Sequence, residues 1–215
     1  YEELENAIKA NQTDKDGKMV ILYASNQDEQ HTYIEAAKAK GYEVLLLDSP
    51  IVSHLMQKLE SKKENITFAR VDADAIDKLI KKDDTVISKL DEEQTKALDE
   101  LLKDTIPSEK FMVQLEPQDS DAAPFMITQP EFMRRMKEMQ ATGGGGMNMF
   151  GNMPEMYNLV VNTNSELVGE ILSTKTKKKQ ERLINQSLDL ARLSQGLLKG
   201  KELSDFIKRS YEMIK

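Results

Sequence analysis

Met19-Val-Ile-Leu-Tyr-Ala24 and Glu43-Val-Leu-Leu-Leu-Asp48 decide the fold of this chain. Each is a short, continuous apolar run, the pattern of a strand buried on both faces of a parallel sheet. Between them, Ser25-Asn26 reads as a helix cap, residues 27–40 as a helix and Gly41 as its stop. Strand, helix and strand over residues 19–48 make a βαβ unit, so the two strands should run parallel with a right-handed crossover. Upstream, residues 1–10 have helical spacing through Leu4, Ala7 and Ile8, and Asp16-Gly17 marks a turn. Downstream, Pro50 opens a helix over 51–60, Ile66-Thr-Phe-Ala-Arg-Val71 is a third strand, and 73–82 reads as a short helix or turn.

Around Lys81-Lys-Asp-Asp84 the pattern breaks. We therefore expect two domains, 1–86 as an αβα layer on a short parallel sheet and 87–215 as a small α+β domain ending in a helix pair; the class is α/β locally and α+β overall. In the second part, a helix over 91–104 carries Leu98, Leu101 and Leu102 and stops before Pro107. Strands follow at 111–115, 125–127 and 157–162, then a helix over 165–172 with Ser165 as its cap.

Hydrophobic content of 39% and charged content of 31% suffice for packed cores. No run approaches the ~20 apolar residues of a spanning helix, so no membrane is expected. The net charge of −7 argues against nucleic acid as a partner, and the basic run Lys175 to Lys179 reads as a solvated helix start. The chain has no Cys, which rules out disulfides and thiol chemistry and fits a reducing, cytoplasmic location. It opens at Tyr1 with no signal-type segment; we expect a fragment of a longer protein.

No catalytic constellation stands out. No glycine-rich fingerprint follows Ala24, and Gly143 to Gly146 lacks the Lys-Ser/Thr of a phosphate loop. The two histidines, His31 and His54, do not suggest a zinc site. Asp72, Asp74 and Asp77 lack calcium-loop spacing and read as helix caps. Met149, Met153 and Met156 are soft thioethers of the kind that select copper(I), but they lack His or Cys support. We expect no metal, no cofactor and no enzymatic activity. The ends of the parallel strands near Ser25 and Asp48 leave open a ligand crevice, and with it a small α/β ligand-binding domain.

The candidate functional stretch runs from Phe125 to Tyr157. Eight of the twelve Met lie between Met126 and Met156. Over Glu131 to Gln140, helical spacing puts Phe132, Met133, Met136 and Met139 on an arc of roughly 120°, with Arg134, Lys137 and Glu138 opposite. Gly143 to Gly146 then leads into a second apolar cluster of Met147, Met149, Phe150, Met153 and Met156. A Met-rich surface repacks against partners of different shape; the other reading of the stripe is ordinary core.

The last two helices carry the geometry for self-association. Over 177–198, Leu183, Ile184, Leu188, Leu190, Ala191, Leu193, Leu197 and Leu198 cover roughly 220°, leaving Asn185, Asp189, Arg192 and Gly196 as a polar stripe. Over 201–214, Leu203, Phe206, Ile207, Tyr211, Met213 and Ile214 form a stripe of roughly 160°, with Gly200 at the corner. Two such helices make half of a four-helix bundle, which a twofold axis completes. The expected dimer contacts are Leu183, Ile184, Leu188, Ala191, Leu198, Leu203, Phe206, Ile207, Tyr211 and Ile214. The other reading is a helix pair folded on its own sheet.

Residues 19–59, with Val-Ile-Leu-Tyr-Ala and then Lys-Gly-Tyr-Glu-Val-Leu-Leu-Leu-Asp-Ser-Pro-Ile, resemble the end of the middle domain of the ninety-kilodalton heat-shock chaperones (the heat-shock protein 90 family), in their bacterial form. The tail Leu-Ser-Asp-Phe-Ile-Lys-Arg-Ser-Tyr-Glu-Met-Ile, residues 203–214, is similar to that family's final dimerisation helix. The resemblance implies a homodimer that binds unfolded or partly folded client proteins, with ATP and magnesium held by an N-terminal domain outside this chain. It implies client contacts at Phe132, Met136 and Met139 with Met133 beside them. A second family patch falls on Ser53 and His54, where the family has an acidic and an aromatic residue, and on Leu55 and Met56. The acidic C-terminal pentapeptide of cytosolic eukaryotic members is absent before Lys215. A binding module for one class of helical peptide, such as a signal sequence, is the alternative function.

Overall fold

The computed structural model describes residues 2–49, 51–82, 86–135 and 156–214. Contacts divide these into two units, one of residues 2–82 with 128–135 and one of residues 86–127 with 156–214. Residues 128–135, which fall on the far side of the boundary read from the sequence, group with the first unit.

The first unit is built on β1 (Met19–Ala24), β2 (Val44–Leu46) and β3 (Ile66–Arg70), in the order β2-β1-β3. β1 runs parallel to both neighbours. Every residue of this central strand is buried, which is why its sequence is an unbroken apolar run. Ile21 and Tyr23 point to a cluster with Ile8 of α1 (Glu2–Gln12) and Met56 of α3 (Val52–Lys62). The pleat sends Val20, Leu22 and Ala24 to the other face; α2 (His31–Ala39) packs against β2 and against α4 (Ile76–Leu79).

Helix α2 starts later than its cap signal suggested. Asn26 Oδ1 accepts from the amides of Asp28 and Glu29, so the Asx motif organises a turn over 27–30, and the helix begins behind it. At its other end Gly41, at φ 73°, closes the helix. Tyr42 N donates to Ala37 O at 3.0 Å and Gly41 N to Lys38 O at 2.9 Å, the paired bonds of a Schellman stop.

The second unit has β4 (Phe111–Glu116), β5 (Phe125–Thr128) and β6 (Tyr157–Asn162) in the order β4-β6-β5, with β4 parallel to β6. Its core joins Phe111, Phe125, Ile127, Leu159 and Val161 of the sheet to side chains from three helices. These come from α5 (Glu92–Thr105), α7 (Glu166–Ser173) and α8 (Lys177–Ser194), with α6 reserved for the helical residues 131–135 and α9 for Gly200–Ile214. Asp91 and Gln94 form a full capping box on α5, two donors satisfied reciprocally. Ser165 sits at the start of α7 but makes no side-chain cap bond. Helix α8 ends at Ser194, earlier than its apolar pattern implied. Gly196 at φ 62° donates to Leu193 O, and Leu197 donates to Arg192 O, so a second Schellman motif stops it. Asn162 and Asn164 close the end of β6. Asn164 Oδ1 accepts from Lys89 N at 2.7 Å and its Nδ2 donates to Ile87 O and Gln118 O.

The fold is α+β, with one fully parallel sheet and one sheet containing a parallel pair.

Candidate interaction surfaces

Of the stretch from Phe125 to Tyr157, residues 125–135, 156 and 157 are described; Met136, Met139, Met147, Met149, Phe150 and Met153 lie outside the described residues, and Met156 is exposed. Within α6 the polar side is the docked one. Arg134 is buried, while Phe132 is 70% exposed and Met133 half-buried. Four charged side chains and a phenol make the attachment. Tyr23 Oη donates to Glu131 Oε1 at 2.9 Å. Arg134 Nη2 donates to both Tyr23 Oη and Glu131 Oε1, and its guanidinium lies 5.5 Å from the Tyr23 ring centre. Arg135 Nε reaches Glu131 Oε1 at 2.7 Å, and its Nη1 reaches Glu60 Oε2 at 2.7 Å.

The same groups close a strand edge. β3 bonds to β1 through alternate residues, Val71 N donating to Tyr23 O, so Phe68 and Arg70 turn their backbone groups outward. Glu60 Oε1 accepts from Phe68 N at 2.7 Å, Arg135 Nη2 donates to Phe68 O at 2.8 Å, and Arg70 N reaches Glu131 Oε2 at 3.4 Å. Charged side chains stand where a further strand would bond.

Electrostatics follow from this packing. Burial pushes the Glu131 carboxyl up, but the Arg134 charge and hydrogen bonds from both arginines outweigh it and hold it below the usual carboxylate range. Burial first, and the Glu131 charge second, push the Tyr23 phenol up. Burial works against the Arg135 cation, yet its bonds to Glu60 and Glu131 keep it more firmly protonated than usual. Beside the attachment lies a groove of about 440 Å³ bounded by Lys18, Glu64, Ile66, Phe68 and Phe132.

Sequence reasoning missed Glu60, Tyr23 and Arg135. Glu60 reads as a solvated helix residue and Tyr23 as plain strand core; no local pattern joins positions so far apart in the chain. The second patch divides. His54 and Leu55 are exposed, but Met56 is 1% exposed and belongs to the first unit's core. Met56 is therefore corrected from surface contact to core: four residues after Val52 and three before Leu59, it shares the inward face with both.

The helix pair divides in the same way. Ile184, Leu188, Ala191 and Leu198 are buried within the single chain, the first three packed in the second unit's core. They are corrected from partner contacts to protomer core, and Phe206 is likewise buried. Leu183 packs against that core and Leu203 is half-buried. Asp189 and Arg192, expected on an open polar stripe, face α9 instead: Asp189 accepts from Arg192 and Arg209. On α9, Ile207, Tyr211 and Ile214 are 44%, 67% and 83% exposed. Their i, i+4, i+7 spacing makes one open apolar stripe. Leu190 and Leu193 of α8 are open as well.

The remaining candidates carry other duties. At the crevice read near Ser25 and Asp48, the carboxamide Oε1 of Gln30 already accepts from the amides of Ser25 and Asn26 at 2.7 and 2.9 Å. The three aspartates do not cap α4, whose N-cap is Ala75, with no side-chain cap bond. Asp72 pairs with Arg70, Asp77 with Lys40, and Asp74 accepts from Ala75 N. Burial pushes the Asp74 carboxyl up. Among the described residues no cluster of His, Cys, Asp and Glu has the makings of a metal site, and no helix is long and apolar enough to cross a membrane.

Known proteins align along this whole architecture. The family model described as Hsp90 protein matches residues 6–215. Chaperone protein HtpG of Bacteroides fragilis is 36% identical, that of Bacteroides thetaiotaomicron 35% and that of Porphyromonas gingivalis 31%. Each alignment covers 100% of this chain and 41% of the relative. The chain thus spans about two-fifths of the length of the relatives it matches. Both apolar surfaces, the open stripe of α9 and the exposed Phe132, lie inside the matched span, and the chain belongs to the Hsp90 protein family.

Proposed function

We propose that this chain is the part of a molecular chaperone that offers an apolar surface to unfolded or partly folded proteins and joins two copies of the chain. The observation that carries the reading is the orientation of α6: its arginines are turned in and Phe132 is turned out, 70% exposed. A large aromatic left in water on an anchored helix suits a contact surface. Exposed Leu55 and His54 are a second, smaller candidate for the same contact. The open stripe Ile207, Tyr211 and Ile214 supports pairing through α9 with a second copy. We assign no reaction to the chain; ATP binding and hydrolysis, with their magnesium, would belong to the part of the relatives' length beyond it. The absence of Cys and the likeness to bacterial chaperones support a cytoplasmic location.

The test is binding of fluorescein-labelled, reduced and carboxymethylated α-lactalbumin, a permanently unfolded probe, followed by anisotropy. Phe132→Ser should weaken it by roughly tenfold or more, as loss of an aromatic anchor does, with the fold intact by circular dichroism. Unchanged affinity would sink the reading. Tight binding of a single helical peptide class with no binding of unrelated unfolded chains would mark a dedicated peptide-binding module instead.

A further inference from the structure

The described part of α6 is residues 131–135. Its large apolar side chain, Phe132, is mostly exposed and contributes little anchoring. Among the described residues the fastening comes from the polar side. There the Arg135 guanidinium spans two carboxylates, Glu60 on α3 and Glu131 on α6 itself. A planar fork held at both ends fixes an angle as well as a distance. Glu60 is itself immobilised, because its Oε1 also accepts from Phe68 N and Thr67 Oγ1. Tyr23 adds a second fixed point from the middle of the sheet, its ring buried and its hydroxyl on Glu131 and Arg134.

We propose that Glu60 and Tyr23 are positioning residues for the Phe132 surface: the Glu60–Arg135–Glu131 bracket fastens residues 131–135 to the free edge of β3, so that the first unit sets the direction in which Phe132 points. This rests on reading Phe132 as a contact residue. The bracket also explains why an edge strand with outward amides at Phe68 and Arg70 remains closed to further strands. The chain enters α6 from β5, but its orientation is taken from α3 and β1.

The experiment uses the whole chain, with Glu60→Gln, Tyr23→Phe, Phe132→Ser and the double variant Glu60→Gln/Phe132→Ser. Three quantities are read: affinity for the unfolded α-lactalbumin probe, native-state hydrogen exchange of the Arg70 amide, and the melting midpoint. Glu60→Gln should raise Arg70 exchange and weaken the probe about fivefold, equivalent to roughly 1 kcal/mol, with the fold retained. The effect should vanish in the Phe132→Ser background, because Glu60 acts through Phe132. An equal loss in both backgrounds would show a general structural role and overturn the proposal. So would faster exchange with unchanged affinity. Should Glu60→Gln fail to fold, Tyr23→Phe, which removes one hydroxyl, carries the same comparison. Failure of Phe132→Ser alone to weaken the probe would overturn the contact reading, whereas a normal Phe132→Ser result with a silent Glu60→Gln would overturn only the bracket.

Discussion

At the residue scale, environment separates side chains that composition treats alike. Met56 and Phe132 are both large apolar residues on helices; one fills the first unit's core and the other stands in water. Met56→Ala should therefore cost about 2–5 kcal/mol of stability by urea unfolding, as cavity-forming substitutions do, and leave affinity for an unfolded probe unchanged. A drop in affinity without a drop in stability would contradict its core placement. Glu131 gives a pH dependence. Its folded-state carboxyl titrates below the usual range, so its contribution to docking α6 is fully present above the unfolded value of about 4.3 and lost as pH falls through the lowered folded value. The groups facing it are Tyr23, Arg70, Arg134 and Arg135. The amide signals of Glu131 and Arg70, followed by NMR, should stay constant down to the ordinary glutamate value and shift below it. A midpoint above that value would contradict the arginine clamp.

At the element scale, α9 shows what amphipathicity alone leaves undecided. Its stripe is wide enough for two contacts. Phe206 is buried and Ser210 meets Gln186 of α8, while Ile207, Tyr211 and Ile214 remain open. Ile207→Asp with Tyr211→Asp should halve the molar mass by light scattering, from near twice the chain's 24.4 kDa, without moving the melting midpoint. A mass unchanged by the pair would remove α9 from the interface. Leu188→Glu should behave differently, because Leu188 is 5% exposed inside the protomer. An unpaired charge there unfolds the second unit, by about 3–5 kcal/mol, and the loss appears in urea melts at concentrations where mass has not yet changed. Capping is simpler: Asp91→Ala should cost about 1 kcal/mol, since it removes the acceptor of Gln94 N.

At the scale of the whole molecule, two separate cores imply two separable transitions. Met56 belongs to one core and Leu98 to the other. Met56→Ala and Leu98→Ala should each move a different step of the urea curve, resolved by hydrogen exchange at β1 and β6 amides. A single step moved equally by both would show one cooperative unit. The strands and most helices were legible in the chain because unbroken apolar runs and 3.6-residue spacing are local properties. Their partners were less so. The apolar pattern of α8 showed that it needs cover on two sides, but whether Ile184 and Leu188 meet their own sheet or another copy depends on where α5, α7 and β6 lie. Gly196 stops α8 early, a signal present in the sequence and outweighed there by the leucines that follow it.

The sequence by itself determined the parallel three-stranded unit, the α+β domain after it, the amphipathic helix pair and the likeness to the Hsp90 family, because these depend on periodicity and on residues in order along the chain. Only the tertiary structure decided that the arginines of α6 turn inward and Phe132 outward, and that Glu60, Tyr23 and Glu131 hold it there. Those contacts join positions up to 111 residues apart, and a charged side chain's partner across such a distance is chosen by packing, on which local pattern is silent.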